Sequence, residues 1–162
     1  MSVSLINAAS TGGSGTVMVS GNMPAFSVYN GNNFSVATGN WVKVPFNTEV
    51  FDTNNNFNTS TNRFTPTVAG YYQVNTRVVS SGYTTDQTIL AFWKNGSEFQ
   101  RLMQIPNSTQ SSICPMGSAL IYMNGSTDYL EVYVLQFSGS SQTFLGGYPA
   151  ESWFNGSMVR GA

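Results

Sequence analysis

The sequence predicts an all-β domain, a two-sheet sandwich of ten strands, and three observations predict it. No stretch of eleven or more residues places apolar side chains at the i, i+3, i+4, i+7 spacing of a helix. Short runs rich in Val, Ile, Phe, Tyr and Trp recur instead, bounded by Gly, Pro or Asn every 8 to 15 residues. Asn, Ser, Thr and Gly make up 70 of 162 residues (17, 21, 16 and 16), yet 41% hydrophobic and 14% aromatic residues supply enough apolar surface to offset chain entropy. One folded domain is the consequence.

The strands are expected at 25–29, 41–46 and, as a short element, 63–65, followed by a long one at 71–79. Residues 88–94 and 98–104 flank Asn95-Gly96, a dipeptide that tolerates the positive φ of a tight hairpin. Residues 117–123 and 129–137 similarly flank Asn124-Gly125-Ser126-Thr127. Both pairs are expected to be antiparallel neighbours. Strands at 143–146 and 152–159 complete a set of ten, which fits a jelly-roll sandwich.

Alternation assigns the faces. Along 71–79 the set Tyr72, Val74, Thr76, Val78 is the better core candidate than Tyr71, Gln73, Asn75, Arg77, Val79. Along 129–135, Leu130, Val132 and Val134 point inward, leaving Tyr129, Glu131, Tyr133 and Leu135 outward. That outward set is too apolar for water. With Phe92, Trp153 and Phe154 it predicts an outer surface covered by another copy of the chain. Trp41, Tyr83 and Tyr148 are further aromatics, suited to stacking on sugars or to packing.

Charge excludes several classes of function. Seven acidic and six basic residues leave a net charge of −1, and only 8% of residues are charged. The cations Lys43, Arg63, Arg77, Lys94, Arg101 and Arg160 are scattered singly, so a nucleic-acid partner is not expected. With no histidine and one cysteine, Cys114, the chain lacks the commonest general base and any thiol dyad or disulfide. Cys114 is expected to be a small buried hydrophobe. The carboxylates Glu49, Asp52, Asp86, Glu98, Asp128, Glu131 and Glu151 are too dispersed for a catalytic pair, and Asp86 and Asp128 read as turn residues, not calcium ligands. No enzyme, cofactor or metal is expected. Nor is an apolar run long enough for a membrane-spanning helix present, and residues 1–11 do not read as a signal peptide. The six Asn-x-Ser/Thr triplets are compositional accidents on this reading.

Residues 1–22 differ from the rest. Ala8 to Gly15 reads as an extended or flexible arm, carrying the apolar residues Val3, Leu5, Ile6, Val17, Met18 and Val19. It is either a frayed terminus or an anchor that orders on a partner, and the anchor reading assigns Val3, Leu5, Ile6, Val17 and Val19 to the contact. The domain proper is expected over 23–162.

Phe46, Asp52, Phe57, Phe64, Gly70 and Tyr72 stand at the separations found in the globular head of complement C1q. Pro24-Ala25-Phe26-Ser27 is similar to that family's opening strand, Trp93-Lys94-Asn95-Gly96 to its central hairpin, Gly117 to Val134 to its paired long strands, and Phe154 to Val159 to its closing strand. Val74 and Thr76 stand where the family usually has two more aromatics. The chain thus resembles the C1q and tumour-necrosis-factor-like jelly rolls over residues 24–159. The resemblance implies a homotrimer about a threefold axis, partner binding through loops and outer faces, and no catalysis. Interface or core positions are then Tyr72, Val74, Tyr129, Tyr133, Leu135, Trp153 and Phe154.

Phage particles carry similar folds. With a neutral surface, no shaft and an apolar-tipped arm, the expected function is a structural virion protein, a trimeric capsid decoration or cement protein or a short fibre head. It would sit on the virion surface, assembled in the host cytoplasm, with a capsid or other virion protein as partner. The alternative is an adhesion head that reads a cell-surface glycan or protein through loops near residues 30–40, 80–87 and 105–112.

Overall fold

A computed structural model describes residues 23–162 apart from Gly82 and Ser111, with the side chains of 83–86 and 107–110 left undescribed. The expected arm, with Val3, Leu5, Ile6, Val17 and Val19, lies outside the described residues. The strands are β1 (Ala25–Tyr29), β2 (Phe34–Val36), β3 (Val42–Lys43), β4 (Thr48–Asp52), β5 (Phe57–Asn58), β6 (Arg63–Phe64), β7 (Gly70–Arg77), β8 (Tyr83–Lys94), β9 (Ser97–Gln110), β10 (Met116–Met123), β11 (Leu130–Gln136), β12 (Gln142–Phe144) and β13 (Trp153–Gly161). A five-stranded sheet runs β10-β7-β13-β1-β4. A six-stranded sheet runs β5-β6-β11-β8-β9, with β3 also paired to β11, and β12 with β2 forms a small third sheet.

Among the described residues thirteen strands therefore stand where ten were expected, and the additions are β2, β4 and β5. β2 and β5 span only three and two residues, too short to show a period, and β4 lies at a sheet edge with Glu49, Val50 and Phe51 all exposed, a bulge opposite Ser27 and Val28 breaking its alternation. In the segment 41–46 the ladder covers Val42–Lys43, the Val44 N–H adds a bond to Val132 O at 2.9 Å, and pairing stops at Pro45, which has no N–H to give. Conversely, β8 and β9 outrun their apolar stretches. Residues 83–87 and 106–110, expected as recognition loops, continue the β8–β9 pairing out to Tyr83 opposite Gln110. Polar Thr, Gln and Ser leave no apolar run there to announce a strand.

Asn95 and Gly96 adopt φ of 55° and 80°, and β8 and β9 pair across them as expected. The second pair does not form: β10 joins β7 in one sheet and β11 joins β8 in the other. The connection at 124–129 crosses between sheets. Asn124 Oδ1 accepts the backbone N–H groups of Ser126, Thr127 and Asp128 at 2.9, 2.9 and 3.0 Å, which folds the crossing on itself.

Aromatic rings fill the space between the sheets. Phe26 stacks on Phe64 at 4.2 Å and meets Phe154 edge-on at 4.9 Å, and Phe154 also touches Phe46, Phe57 and Phe92. Phe92 and Phe154 are thus core residues, not members of an outer surface. Period two explains it: Phe154, Gly156 and Met158 point inward while Trp153, Asn155 and Ser157 point outward. Phe46, Phe57 and Phe64 converge on this cluster. Tyr72 is fully buried, donates its hydroxyl to Val68 O at 2.7 Å, and has its phenol pushed up to about 12 by burial. Gly70 packs so closely on the Arg160 carbonyl and the Met158 methyl that a Cβ would collide with both.

Candidate functional site

The outer face of the five-stranded sheet can be laid out row by row from its register. One row crosses Met116, Arg77, Trp153, Tyr29 and Thr48; the next crosses Ser118, Asn75, Asn155, Ser27 and Phe51. Beyond these, Leu120 stands opposite Gln73, and Tyr122 opposite Tyr71 with their rings 5.4 Å apart. The centre is polar and small: Asn75 Nδ2 donates to Asn155 Oδ1 at 3.0 Å, and short side chains leave two open hollows of about 260 and 240 Å³ that share Asn75. The flanks are apolar. On the β10 side Met116, Leu120 and Tyr122 are 47%, 57% and 43% exposed, and on the β4 side Val50 and Phe51 are 54% and 48% exposed. Tyr71 and Val159 add to the same sheet, so seven of the twelve large exposed hydrophobic residues described lie on its strands.

The six-stranded sheet presents a different outer face. Glu131, 1% exposed, takes Lys43 Nζ and Arg63 Nε on Oε1, both at 2.9 Å. Arg63 lies over the Tyr129 ring at 4.0 Å, Trp93 stacks on Tyr133 at 4.2 Å, and Trp41 meets Trp93 edge-on. The hydrogen bond to Glu131 holds the Arg63 guanidinium above its ordinary value, and burial, followed by Glu131, raises Tyr133. Leu135 is only 8% exposed within the single chain. Tyr129, Tyr133 and Leu135 therefore belong to a face largely occupied by its own chain, Tyr72, Val74 and Phe154 lie inside the sandwich, and Trp153 sits half-buried on the five-stranded face.

Sequence reasoning missed Leu120, Tyr122, Met116 and Phe51. A signal existed for the first three: residues 116–123 read Met-Gly-Ser-Ala-Leu-Ile-Tyr-Met, apolar on both faces, where a half-buried strand would alternate.

Among the described residues no three His, Cys, Asp or Glu groups gather to hold a metal ion. Asp128 is not the solvated turn residue expected. The residue is 8% exposed, and its carboxylate takes Lys94 Nζ at 2.8 Å, Asn95 Nδ2 at 2.8 Å and the Asn124 N–H at 3.1 Å. Burial opposes its charge, yet the hydrogen bonds from Asn95, Lys94 and Asn124 prevail and hold it below the ordinary 3.8. It pins the β8–β9 hairpin to the crossing loop. Cys114 is half-buried, with Arg77 donating to its sulfur at 3.6 Å. No helix among the described residues is long and apolar enough to cross a membrane.

A family model for the C1q domain matches residues 25–159. The chain belongs to the C1q domain family. Members of this C1q and tumour-necrosis-factor-like group are structural or ligand-binding proteins, not enzymes. The globular domain of zebrafish complement C1qA superposes with a TM-score of 0.61 at 22% identity, covering 86% of this chain and 99% of that one. Murine APRIL superposes at 0.64 with 11% identity, covering 85% and 100%. Vertex protein P5 of PRD1 superposes at 0.62 with 18% identity, covering 85% and 97%. No curated protein matches the chain significantly. The matched span runs from the start of β1 into β13.

Proposed function

We propose that this C1q domain is the trimeric head of a structural virion protein, a capsid decoration or cement protein or short fibre head, held to the particle through residues 1–22. The observation that carries the reading is the five-stranded outer face, where Leu120 at 57% and Phe51 at 48% exposure flank a floor of small polar residues. Apolar area of that extent in one sheet is characteristic of a surface covered by a partner. A cyclic trimer needs two unlike patches that meet head to tail. The raised β10 flank of Met116, Leu120 and Tyr122 is one. The hollows around Asn75, Asn155 and Phe51 are the other. Trp153 belongs to this contact, whereas Tyr129, Tyr133 and Leu135 stand outside it. The similarity to a phage vertex protein supports placing such a head on a virion.

The test is deletion of residues 1–22. The truncated protein stays a soluble trimer and no longer attaches to particles assembled without it. Unchanged attachment would overturn the anchor, and a monomeric truncation product would overturn the self-sufficient head.

A further inference from the structure

The five-stranded sheet ends differently on its two sides. At one edge β10 lies against β9, where a Cβ on Gly117 would collide with the Leu102 side chain. At the other edge β4 pairs only with β1 among the described residues, so its outer row of N–H and C=O groups has no strand beside it. Such an edge is ordinarily blunted by charge, proline or a covering loop. β4 reads Thr-Glu-Val-Phe-Asp, with Val50 and Phe51 54% and 48% exposed. Asp52 turns back to accept the N–H groups of Asn54 and Phe57, which leaves Glu49 as the one charge displayed along the edge. An edge of this kind is a template for a further strand.

The chain upstream of β1, outside the described residues, holds a segment that fits it. Residues 15–21 read Gly-Thr-Val-Met-Val-Ser-Gly, a five-residue run centred on two valines and bounded by glycines, against the five residues of β4. The run carries no charge, so nothing in it opposes Glu49. The reach is also sufficient. The Pro24 carbonyl is fixed by the Met158 N–H at 2.9 Å, and the Thr53 N–H bonds Ala25 O at 3.0 Å, which sets the start of β1 beside the end of β4. From Ser20 to Pro24 the chain extends by up to about 14 Å. A strand on the far side of β4 stands two strand spacings from β1, about 9.6 Å. Because the segment enters at the Asp52 end, where β1 begins, it runs parallel to β4.

We infer that residues 16–20 of the same chain form a sixth strand of this sheet, seated on the outer edge of β4. Val17 and Val19 then belong to the head, and Val3, Leu5 and Ile6 remain for an outside partner. This holds whether or not the head is carried on a particle.

The experiment is amide hydrogen exchange of the full chain, read by mass spectrometry, with Val17→Pro and Met18→Pro as variants. In the unsubstituted chain the amides of 16–20 and of 49–51 are protected. Successive residues give their N–H groups to opposite sides of a strand, so one of the two prolines removes a bond to β4 and speeds exchange in both segments about tenfold. The strands β7, β8, β11 and β13 keep their protection, which shows the head still folded. Exchange of 16–20 at the rate of an unstructured peptide in the unsubstituted chain overturns the inference without any variant, as does β4 protection that neither proline changes. The second measurement decides whose segment it is. Val50→Cys is combined in turn with a cysteine at each of positions 16–20, all carrying Cys114→Ser, and oxidised with copper phenanthroline. At least one pair forms a disulfide within a single chain; disulfides formed only between chains, or none, overturn the assignment to the same chain.

Discussion

The two sheets of this sandwich bury similar aromatic cores against each other but finish their outer faces differently. On the six-stranded sheet the carboxylate of Glu131 is closed over by Lys43 and Arg63, and the rings of Trp41, Trp93 and Tyr133 pack on one another. On the five-stranded sheet Leu120, Tyr122, Met116 and Phe51 have little above them, and the polar groups between them bond only sideways, as Asn75 does to Asn155. The first face is completed by its own chain, and the second is the one we propose another copy covers. In a chain with so little charge, the difference cannot come from electrostatic display; it comes from which face leaves apolar area uncovered.

The comparison breaks most severely through the core that the two faces share. Phe154→Ala, at the meeting point of rings from both sheets, is expected to cost about 3 to 5 kcal/mol and to leave mostly insoluble product, read from the soluble fraction and thermal melting. A change confined to the open face acts differently. Leu120→Asp is expected to give a folded monomer at concentrations where the unsubstituted chain is trimeric, read by light scattering, because a buried unpaired carboxylate would be required at the contact. The same substitution at an exposed residue outside that face, such as Tyr148→Asp, leaves the trimer intact.

Two smaller effects probe the closed side and the hairpin next to it. Asp128→Asn removes a charged acceptor from three donors and is expected to cost about 2 kcal/mol near neutral pH. Because the folded carboxyl is held below 3.8, its contribution is complete above that value and is lost as pH falls through the lower folded value. Wild-type and variant melting temperatures therefore converge in acid. Glu131→Gln loosens Lys43 and Arg63, but both cations are about a third exposed, so the expected cost is about 1 kcal/mol, with no change in oligomeric state.

Much of the fold was legible because its cues are local. Asn95-Gly96 announces its own hairpin, and the spacing from Phe46 to Tyr72 carries the rings that meet in the core. The sheet membership of β10 and β11 was not legible, since a short polar connection such as 124–129 can either turn within a sheet or cross between two, and only long-range pairing decides. The candidate site was half legible for a related reason. The expected over-apolar outer face was placed on Tyr129, Tyr133 and Leu135, because in sequence they look as greasy as Leu120 and Tyr122 do. What separates Tyr133 from them is the cover given by Trp93 from a strand forty residues away in the chain, which no local pattern announces.

The most direct measurement is sedimentation equilibrium of the full chain at micromolar concentration. The account predicts a single species of about three times the 17.5 kDa chain mass, reduced to one chain by Leu120→Asp. A stable species of one chain mass in the unsubstituted protein would contradict it.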